Sequence, residues 1–339
     1  MNAEEAGREI TRLSKELERH NRLYYTDAVP EISDKEYDGL FRDLELLEAA
    51  HPELASPNSP TRRVGGEPID GFEQRAHVIP MLSIDDVFSE EEMGEFFARL
   101  QKNLERESVD VTIEPKIDGV AVSLVYRKGE LDYALTRGDG TRGDDITENV
   151  RTIGRLPLRL PDNAPELLEV RGEIYMPNEG FAEMNRERDE QGLQTFVNPR
   201  NAAAGALKLL DSREVARRPL DFLAHGLGQL EGRELTSVKE FHALVEEMGL
   251  PLNSPVWETD SLEGVIAAIR ELDEKRHDLP YGTDGAVVKV NLFEDQQQLG
   301  FTARAPKWSA AFKYPPEQKE TVLQAITVQV GRTGTLTPV

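Results

Sequence analysis

Four charged side chains stand inside runs that otherwise want burial: Lys116 in EPKIDG, Glu173 in LEVRGEIYM, Lys289 in DGAVVKV and Lys313 in WSAAFKY. An isolated charge in such a setting is costly unless it is partnered. For any one of them, an edge or surface position explains as much as a functional one. Four together, all in strand or strand-end settings, are more economically explained by one polar cleft that they line in common. The chemistry open to such a cleft is that of a lysine amine held among cations and carboxylates. A free lysine amine titrates at about 10.4, so a nucleophilic lysine needs neighbouring positive charge and partial desolvation to expose its lone pair. The competing reading of EPKIDG is local. Asp118-Gly119 is a strong hairpin turn signal, and in a hairpin Lys116 would be a solvated charge.

The elements that must position these residues are short alternating runs: VDVTI, VAVSLVYR, ELDYALTR, LLEVRGEIYM, LDFLAHGLG and DGAVVKV. Polar, Gly-rich loops separate them, notably RGDGTRGDD at 137–145. Strands neighbour one another without crossover helices, which predicts an antiparallel α+β design rather than a doubly wound one. Ahead of them, residues 1–68 read as a small helical unit, with Ile10, Leu13, Leu17 and Leu23 at helical intervals. A second helix opens at Ser33 with the S-x-x-E form of a capping box; its apolar face runs Tyr37, Leu40, Phe41, Leu44, Leu47. Asp34 and Asp38 lie four apart on it with Tyr37 beside them, so they share a side. Residues 51–80 are rich in Pro and Gly and read as a connector rather than a packed element. A third helix opens at Ser89, again with S-x-x-E. The last run, TVLQAITVQVGRTGTLTPV, reads as the opening strands of a further β-domain cut off before they could bury a face.

Bulk composition narrows the function classes. The chain has 339 residues, 38% hydrophobic and 30% charged, enough for two or more domains. No apolar run approaches the roughly 20 residues of a membrane helix, and the N-terminus has neither a basic segment nor an apolar core of a secretory signal. There is no cysteine, which excludes disulfides and thiolate zinc sites within this chain; a cytoplasmic origin fits. The net charge of −23 repels phosphate at long range. Either the partner is not nucleic acid, or the gripping surface is local or lies outside this chain.

The charged sites match, in order and context, the motif series of covalent nucleotidyltransferases: K-x-D-G, a buried R-G-E, D-G-x-V-x-K and a late lysine in an apolar strand. Within that superfamily the chain most resembles bacterial NAD-dependent DNA ligase. The resemblance spans essentially the whole chain through YYTDAVPEISDKEYD, IPMLSIDDVF, EPKIDG, TRGDGTRGDD, VRGEIYM, NPRNAAAGALK and APKWSAAFKYP. K-x-D-G alone is a weak signal; the ordered series is a strong one. It implies a helical subdomain binding nicotinamide mononucleotide at 1–68, an ATP-grasp-like nucleotidyltransferase (adenylation) domain at 69–317, and the truncated start of an oligonucleotide-binding fold at 318–339.

The resemblance also implies roles. Lys116 attacks the adenylyl phosphorus of NAD, releases nicotinamide mononucleotide and becomes lysyl-AMP, for later transfer to the 5′-phosphate of nicked DNA and sealing. Lys289 and Lys313, with Mg²⁺ or Mn²⁺, neutralise the phosphates, and Asp118 orients Lys116 or a metal-bound water rather than acting as a base. Glu114 accepts from the adenine amino group, Arg137 and Glu173 hold the ribose, and Ser83 with Ile84 lines the NAD site. His225 stands where the family has an aromatic ring stacking on adenine; its alternative is a hydrogen-bonded core histidine. Tyr24, Tyr25, Asp34, Tyr37 and Asp38 bind the nicotinamide half, with Tyr25 where the family often has His; half-buried packing is the alternative for Tyr24 and Tyr37. Arg200 and Lys208, the latter where Arg is common, contact the DNA backbone, unless that basic helix face is simply solvated. Zinc belongs to a Cys₄ module in the part of the family beyond this chain, and a monomer is expected. The chain would then bind NAD and charge Lys116 but seal nicks poorly or not at all. The rivals are an ATP- or GTP-dependent nucleotidyltransferase, namely an ATP ligase or capping enzyme, and a non-catalytic nucleotide- or nucleic-acid-binding relative.

Overall fold

A computed structural model describes residues 3–25, 31–32, 34–56, 58–62, 71–314, 325, 328–330 and 336–338. In chain order they form α1 (Ala3–Tyr25), α2 (Asp34–Ala50), β1 (Gln74–Ala76), β2 (Asp85–Val87), α3 (Glu90–Leu104), β3 (Val111–Ile117), β4 (Val120–Arg127), β5 (Glu130–Thr136), β6 (Arg142–Asp144), α4 (Thr147–Val150), β7 (Leu167–Tyr175), α5 (Asn178–Glu190), α6 (Pro199–Leu207), α7 (Ser212–Val215), β8 (Asp221–Glu231), α8 (Val238–Glu247), β9 (Trp257–Thr259), α9 (Leu262–Lys275), β10 (Thr283–Val290), α10 (Phe293–Leu299), β11 (Ser309–Lys313), β12 (Val328–Val330) and β13 (Leu336–Pro338). Two sheets carry the body: a five-stranded one ordered β2-β11-β10-β3-β9 and a four-stranded one ordered β5-β4-β7-β8. Every pairing within them is antiparallel except β2 with β11. The expected antiparallel α+β architecture is therefore the observed one.

Period-two alternation gives each sheet one apolar and one polar face. In the five-stranded sheet Val111, Ile113, Ala286, Val288, Val290, Ala310 and Phe312 pack with Phe97 and Leu100 of α3 and Ile269 and Leu272 of α9. In the four-stranded sheet Val122, Leu124, Val170, Ile174, Phe222 and Ala224 pack with Phe241, Leu244 and Val245 of α8. Each fully buried Val, Leu, Ile or Phe among them is worth roughly 1.5–3 kcal/mol. This fixes the register, because a slip of one residue would exchange the two faces. The opposite faces carry Glu114, Lys116, Lys289 and Lys313 on one sheet, and Ser123, Glu169, Arg171, Glu173 and His225 on the other.

Asp118-Gly119 is the crossing between these sheets, not a hairpin turn. β3 pairs with β10 and β9, whereas β4 pairs with β5 and β7. Gly119 is required by close approach: a Cβ there would lie 2.7 Å from the Ile174 carbonyl oxygen and 3.3 Å from the Glu173 side chain.

The helix start expected at Ser89 is present, its hydroxyl accepting from the Glu92 N–H at 3.1 Å; the capping box expected at Ser33 lies outside the described residues. In the helical unit Ile10, Leu13, Leu17 and Leu44 are buried against Tyr37, Leu40, Phe41 and Leu47. The stretch expected to be an unpacked connector is partly packed. Asn58 and Ser59 are buried, and the Asn58 amide donates to the Leu131 carbonyl at 2.9 Å and to Glu130 at 3.0 Å. A polar side chain can be buried here because the edge strand β5 offers it unpaired acceptors. β12 and β13 form an antiparallel pair; the remainder of 318–339, apart from residue 325, lies outside the described residues.

Gly119→Ala is expected to cost about 1–3 kcal/mol through overpacking against the Ile174 backbone, read as a lower urea midpoint at unchanged slope.

Candidate active site

The geometry around Lys116 comes from a β-bulge. Gly285 on β10 stands opposite both Lys116 on β3 and Lys313 on β11, and the β10–β3 ladder shifts between Thr283 and Gly285. Asp284 is the extra residue, and a bulge re-aims the side chain that it leaves unpaired. Its carboxylate lies 3.0 Å from the Lys116 ammonium and 3.7 Å from that of Lys313. Lys313 also meets Asp86 at 3.2 Å. Gly285 keeps the centre of the row open, since a Cβ there would sit 2.0 Å from the Phe312 carbonyl oxygen.

Deeper in the cleft, Lys289 (7% exposed) donates to the carboxylate of Glu114 (1% exposed) and to the His225 carbonyl at 2.5 Å. The two lysines expected to act together on Lys116 are thus differently placed: Lys313 shares a carboxylate with it, while Lys289 ties the two sheets together through Glu114 and β8. Burial pushes the Glu114 carboxyl up, with the Lys289 charge opposing. His225 is held down to about 3 by burial, then by the Lys289 and Arg171 charges, so its ring is neutral at neutral pH. It lies 3.9 Å from Glu173.

Glu173 reaches in from β7. Burial raises its pKa to about 8, against the pull of Lys116, Arg200 and Arg137. Among the described residues its Oε2 has no hydrogen-bond partner. Asp118 is fixed by its backbone N–H on the Gly282 carbonyl at 2.8 Å, and its carboxylate meets Arg200 at 3.2 Å. Arg200, near the N-terminus of α6, therefore belongs to the rim of this cleft. Lys208, exposed at the other end of α6, lies roughly 12 Å away along the helix. Arg137 is exposed, with its backbone N–H on Ala121 at 3.0 Å. Ser83 is exposed and Ile84 half-buried, and the Ser83 N–H donates to the Arg304 carbonyl at 3.1 Å. Tyr37 is half-buried, its hydroxyl donating to Asn21 at 2.9 Å. Tyr24 and Tyr25 lie in α1, and Asp34 and Asp38 in α2; their side chains lie outside what is described.

The NAD-dependent DNA ligase adenylation domain family matches residues 69–317, and the DNA ligase-like, N-terminal NAD⁺-binding domain family matches 3–65. The chain belongs to the NAD-dependent DNA ligase family. A DNA ligase from Akkermansia muciniphila is 60% identical over 346 residues, covering 100% of this chain and 44% of that protein. One from Geobacter metallireducens is 46% identical over 342 residues, covering 100% of this chain and 51% of that protein. The chain spans about half the length of the curated relatives it matches. An archaeal ATP-dependent RNA ligase structure aligns at a TM-score of 0.36 and 16% identity over 70% of this chain and 48% of that one, a likeness too loose to carry weight.

Three residues of this ligase-family cleft escaped the sequence reading. Asp284 stood in the quoted DGAVVKV run, but its Asp-Gly pair signals a turn or bulge without saying which way the carboxylate points. Asp86 likewise stood in IPMLSIDDVF. Arg171, two residues before Glu173, donates to the carbonyls of Ile79 at 2.6 Å and Pro80 at 3.1 Å, which anchors the segment leading into Ser83-Ile84. Among the described residues no three Asp, Glu or His side chains converge as a metal cage, and the cleft carboxylates Asp284, Asp118 and Glu114 are engaged by cations.

Because the folded pKa of Glu173 lies above its unfolded value, the native state binds the extra proton between about pH 4.5 and 8. Stability contributed by that proton is complete below the lower value and is lost as pH rises through the upper one. Urea unfolding at pH 5 and pH 8.5 should show the wild type losing on the order of 3 kcal/mol relative to Glu173→Gln.

Proposed function

We propose that this chain performs the NAD-charging step of a DNA ligase, with Lys116 as the nucleophile. The observation that carries the reading is Lys116 and Lys313 sharing the Asp284 carboxylate (3.0 and 3.7 Å) at a cleft of an NAD-dependent ligase family chain. An ammonium is not a nucleophile, and Asp284 is placed to take the proton that Lys116 must give up. The Lys116 Nζ lone pair then forms a bond to the adenylyl phosphorus, the bridging P–O bond of the pyrophosphate breaks, and nicotinamide mononucleotide leaves with that oxygen. Lys313, with Arg200 and Arg137 at the rim, supplies positive charge where the phosphates become more negative. The leaving phosphate is a weak base, so no strong general acid is needed.

Glu114 at the floor would accept from the adenine amino group, with Lys289 fixing one of its oxygens. The neutral His225 ring can stack on the base, and Glu173 and Arg137 flank the position of the ribose. The helical unit at 1–68 would hold the nicotinamide half through Tyr24, Tyr25, Asp34, Tyr37 and Asp38, and 69–317 would be the adenylation domain. Mg²⁺ usually keeps several waters and leans on substrate phosphates; it would join through NAD rather than a protein cage and would supply further charge neutralisation. Nicked DNA is the acceptor proposed for the charged adenylyl group, with Arg200 and Lys208 as phosphate contacts and the cytoplasm as the place of work.

Intact-mass analysis after incubation with NAD and Mg²⁺ should show a gain of one AMP, none with ATP and none in Lys116→Ala; a gain with ATP, or an undiminished gain in the variant, would overturn the reading. Asp284→Asn should slow charging by on the order of 100-fold or more, read by quenched-flow mass analysis.

A further inference from the structure

Two buried polar atoms lie close together at the floor of the cleft. Glu114 Oε2 and His242 Nε2 each have no hydrogen-bond partner among the described residues, and they lie 3.8 Å apart. The other Glu114 oxygen is taken by Lys289. Asn253, beside it, donates one amide hydrogen to the Pro115 carbonyl at 2.9 Å, and its side chain also favours the ionised form of Glu114, after the larger effect of Lys289. Both residues are deeply buried, Glu114 at 1% and His242 at 8% exposure. A buried carboxylate oxygen without a donor is an expensive arrangement, and 3.8 Å is too long for a hydrogen bond by less than about 1 Å.

His242 is not placed there loosely. Its helix, α8, is capped by Ser237, whose hydroxyl accepts from the Glu240 N–H at 3.2 Å. The start of α8 is also tied to the residue that follows β10: Val238 donates to the Asn291 carbonyl at 2.8 Å and Lys239 to the Asn291 side chain at 3.2 Å. β10 is the strand that carries Lys289 and pairs with Glu114 through Val287. The imidazole therefore stands at a set distance behind the carboxylate. Burial, then the Lys289 charge, holds its pKa down to about 4, so the ring is neutral and one nitrogen carries a hydrogen. Burial also pushes Glu114 toward its protonated form, and a donor on Oε2 favours the carboxylate instead. That distinction decides which base fits. An ionised Glu114 only accepts and so suits a 6-amino purine; a protonated Glu114 can donate and so suits a 6-oxo purine.

We propose that His242 is a positioning residue for base selection, its Nε2–H closing onto Glu114 Oε2 so that Glu114 stays an acceptor for the 6-amino group of the purine. This rests on the reading that the cleft takes NAD with its adenine at Glu114.

The test compares the whole chain with His242→Phe and His242→Gln, the latter keeping an N–H donor. Single-turnover charging of Lys116 is followed by mass with NAD and with nicotinamide hypoxanthine dinucleotide. The wild type should prefer NAD; His242→Phe should lose about tenfold or more of that preference, through a raised KM for NAD at a nearly unchanged saturating rate. His242→Gln should restore most of it, which a merely structural role would not do. Unchanged preference in His242→Phe overturns the proposal. Absence of charging by either dinucleotide in the wild type overturns the NAD reading and this inference with it, and is told apart because it appears without any substitution. A readout on the unsubstituted protein stands beside these: ¹⁵N NMR of the histidine rings should find His242 neutral with its hydrogen on Nε2 at pH 7. A hydrogen on Nδ1 alone, or a charged ring, would contradict it.

Discussion

Everything at the mouth of the cleft depends on one carboxylate held between two ammonium groups. Asp284 can reach both Lys116 and Lys313 only because it is the unpaired residue of a bulge; in unbroken register, residue 284 would point to the opposite face from 285. Gly285 has no side chain to fill the space between the lysines, and β11 approaches it too closely to allow one. The bulge is in turn stabilised by what it does not disturb. Ala286, Val288 and Val290 continue the alternation into the apolar core formed with α3 and α9, so the cost of one irregular residue is offset by an undamaged hydrophobic face.

A second constraint lies deeper, where Lys289 and Glu114 form an ion pair at the floor. Buried ion pairs are weak evidence for stability, because desolvation offsets much of the attraction. Hydrophobic residues in both places would pack at least as well. Under the proposed function the pair serves recognition: Lys289 also bonds the His225 backbone on the facing sheet, so polar contacts tie the two sheets together at the position proposed for the base. Glu173, driven toward its neutral form by burial, and the uncharged His225 add a side wall of low charge, while Arg200, Arg137 and Lys313 provide positive charge around it. The cleft thus has a buried ion pair at its floor and, at its mouth, Lys116, Lys313 and Arg200 paired with Asp284, Asp86 and Asp118.

Much of this was legible in the sequence because burial and alternation are local. The strands at VDVTI, VAVSLVYR and DGAVVKV, the cap at Ser89 and the lysines embedded in apolar runs all follow from period and residue type. The division of labour among the lysines was not. Lys289 and Glu114 are 175 residues apart in the chain, and no local rule says that they meet. Nor does spacing reveal that Asp118-Gly119 crosses between sheets instead of turning back, since the same dipeptide serves a hairpin when both flanking strands find each other. Asn58 and Ser59 looked like connector residues because polar composition reports solvent in general; here the edge of β5 replaces solvent around Asn58, and the local turn with Ser56 and Thr61 does so around Ser59. His242 was hidden for a related reason, standing on the same helix as the apolar Phe241, Leu244 and Val245 with only the tertiary fold to bring it to Glu114.

The most direct test of the central claim is a crystal structure of the chain after incubation with NAD. The account predicts continuous density from Lys116 Nζ to the phosphorus of AMP, adenine at Glu114, and Asp284 parted from Lys116 while still near Lys313. Lys116 still paired with Asp284, with AMP or NAD bound elsewhere or bonded to another side chain, would contradict it.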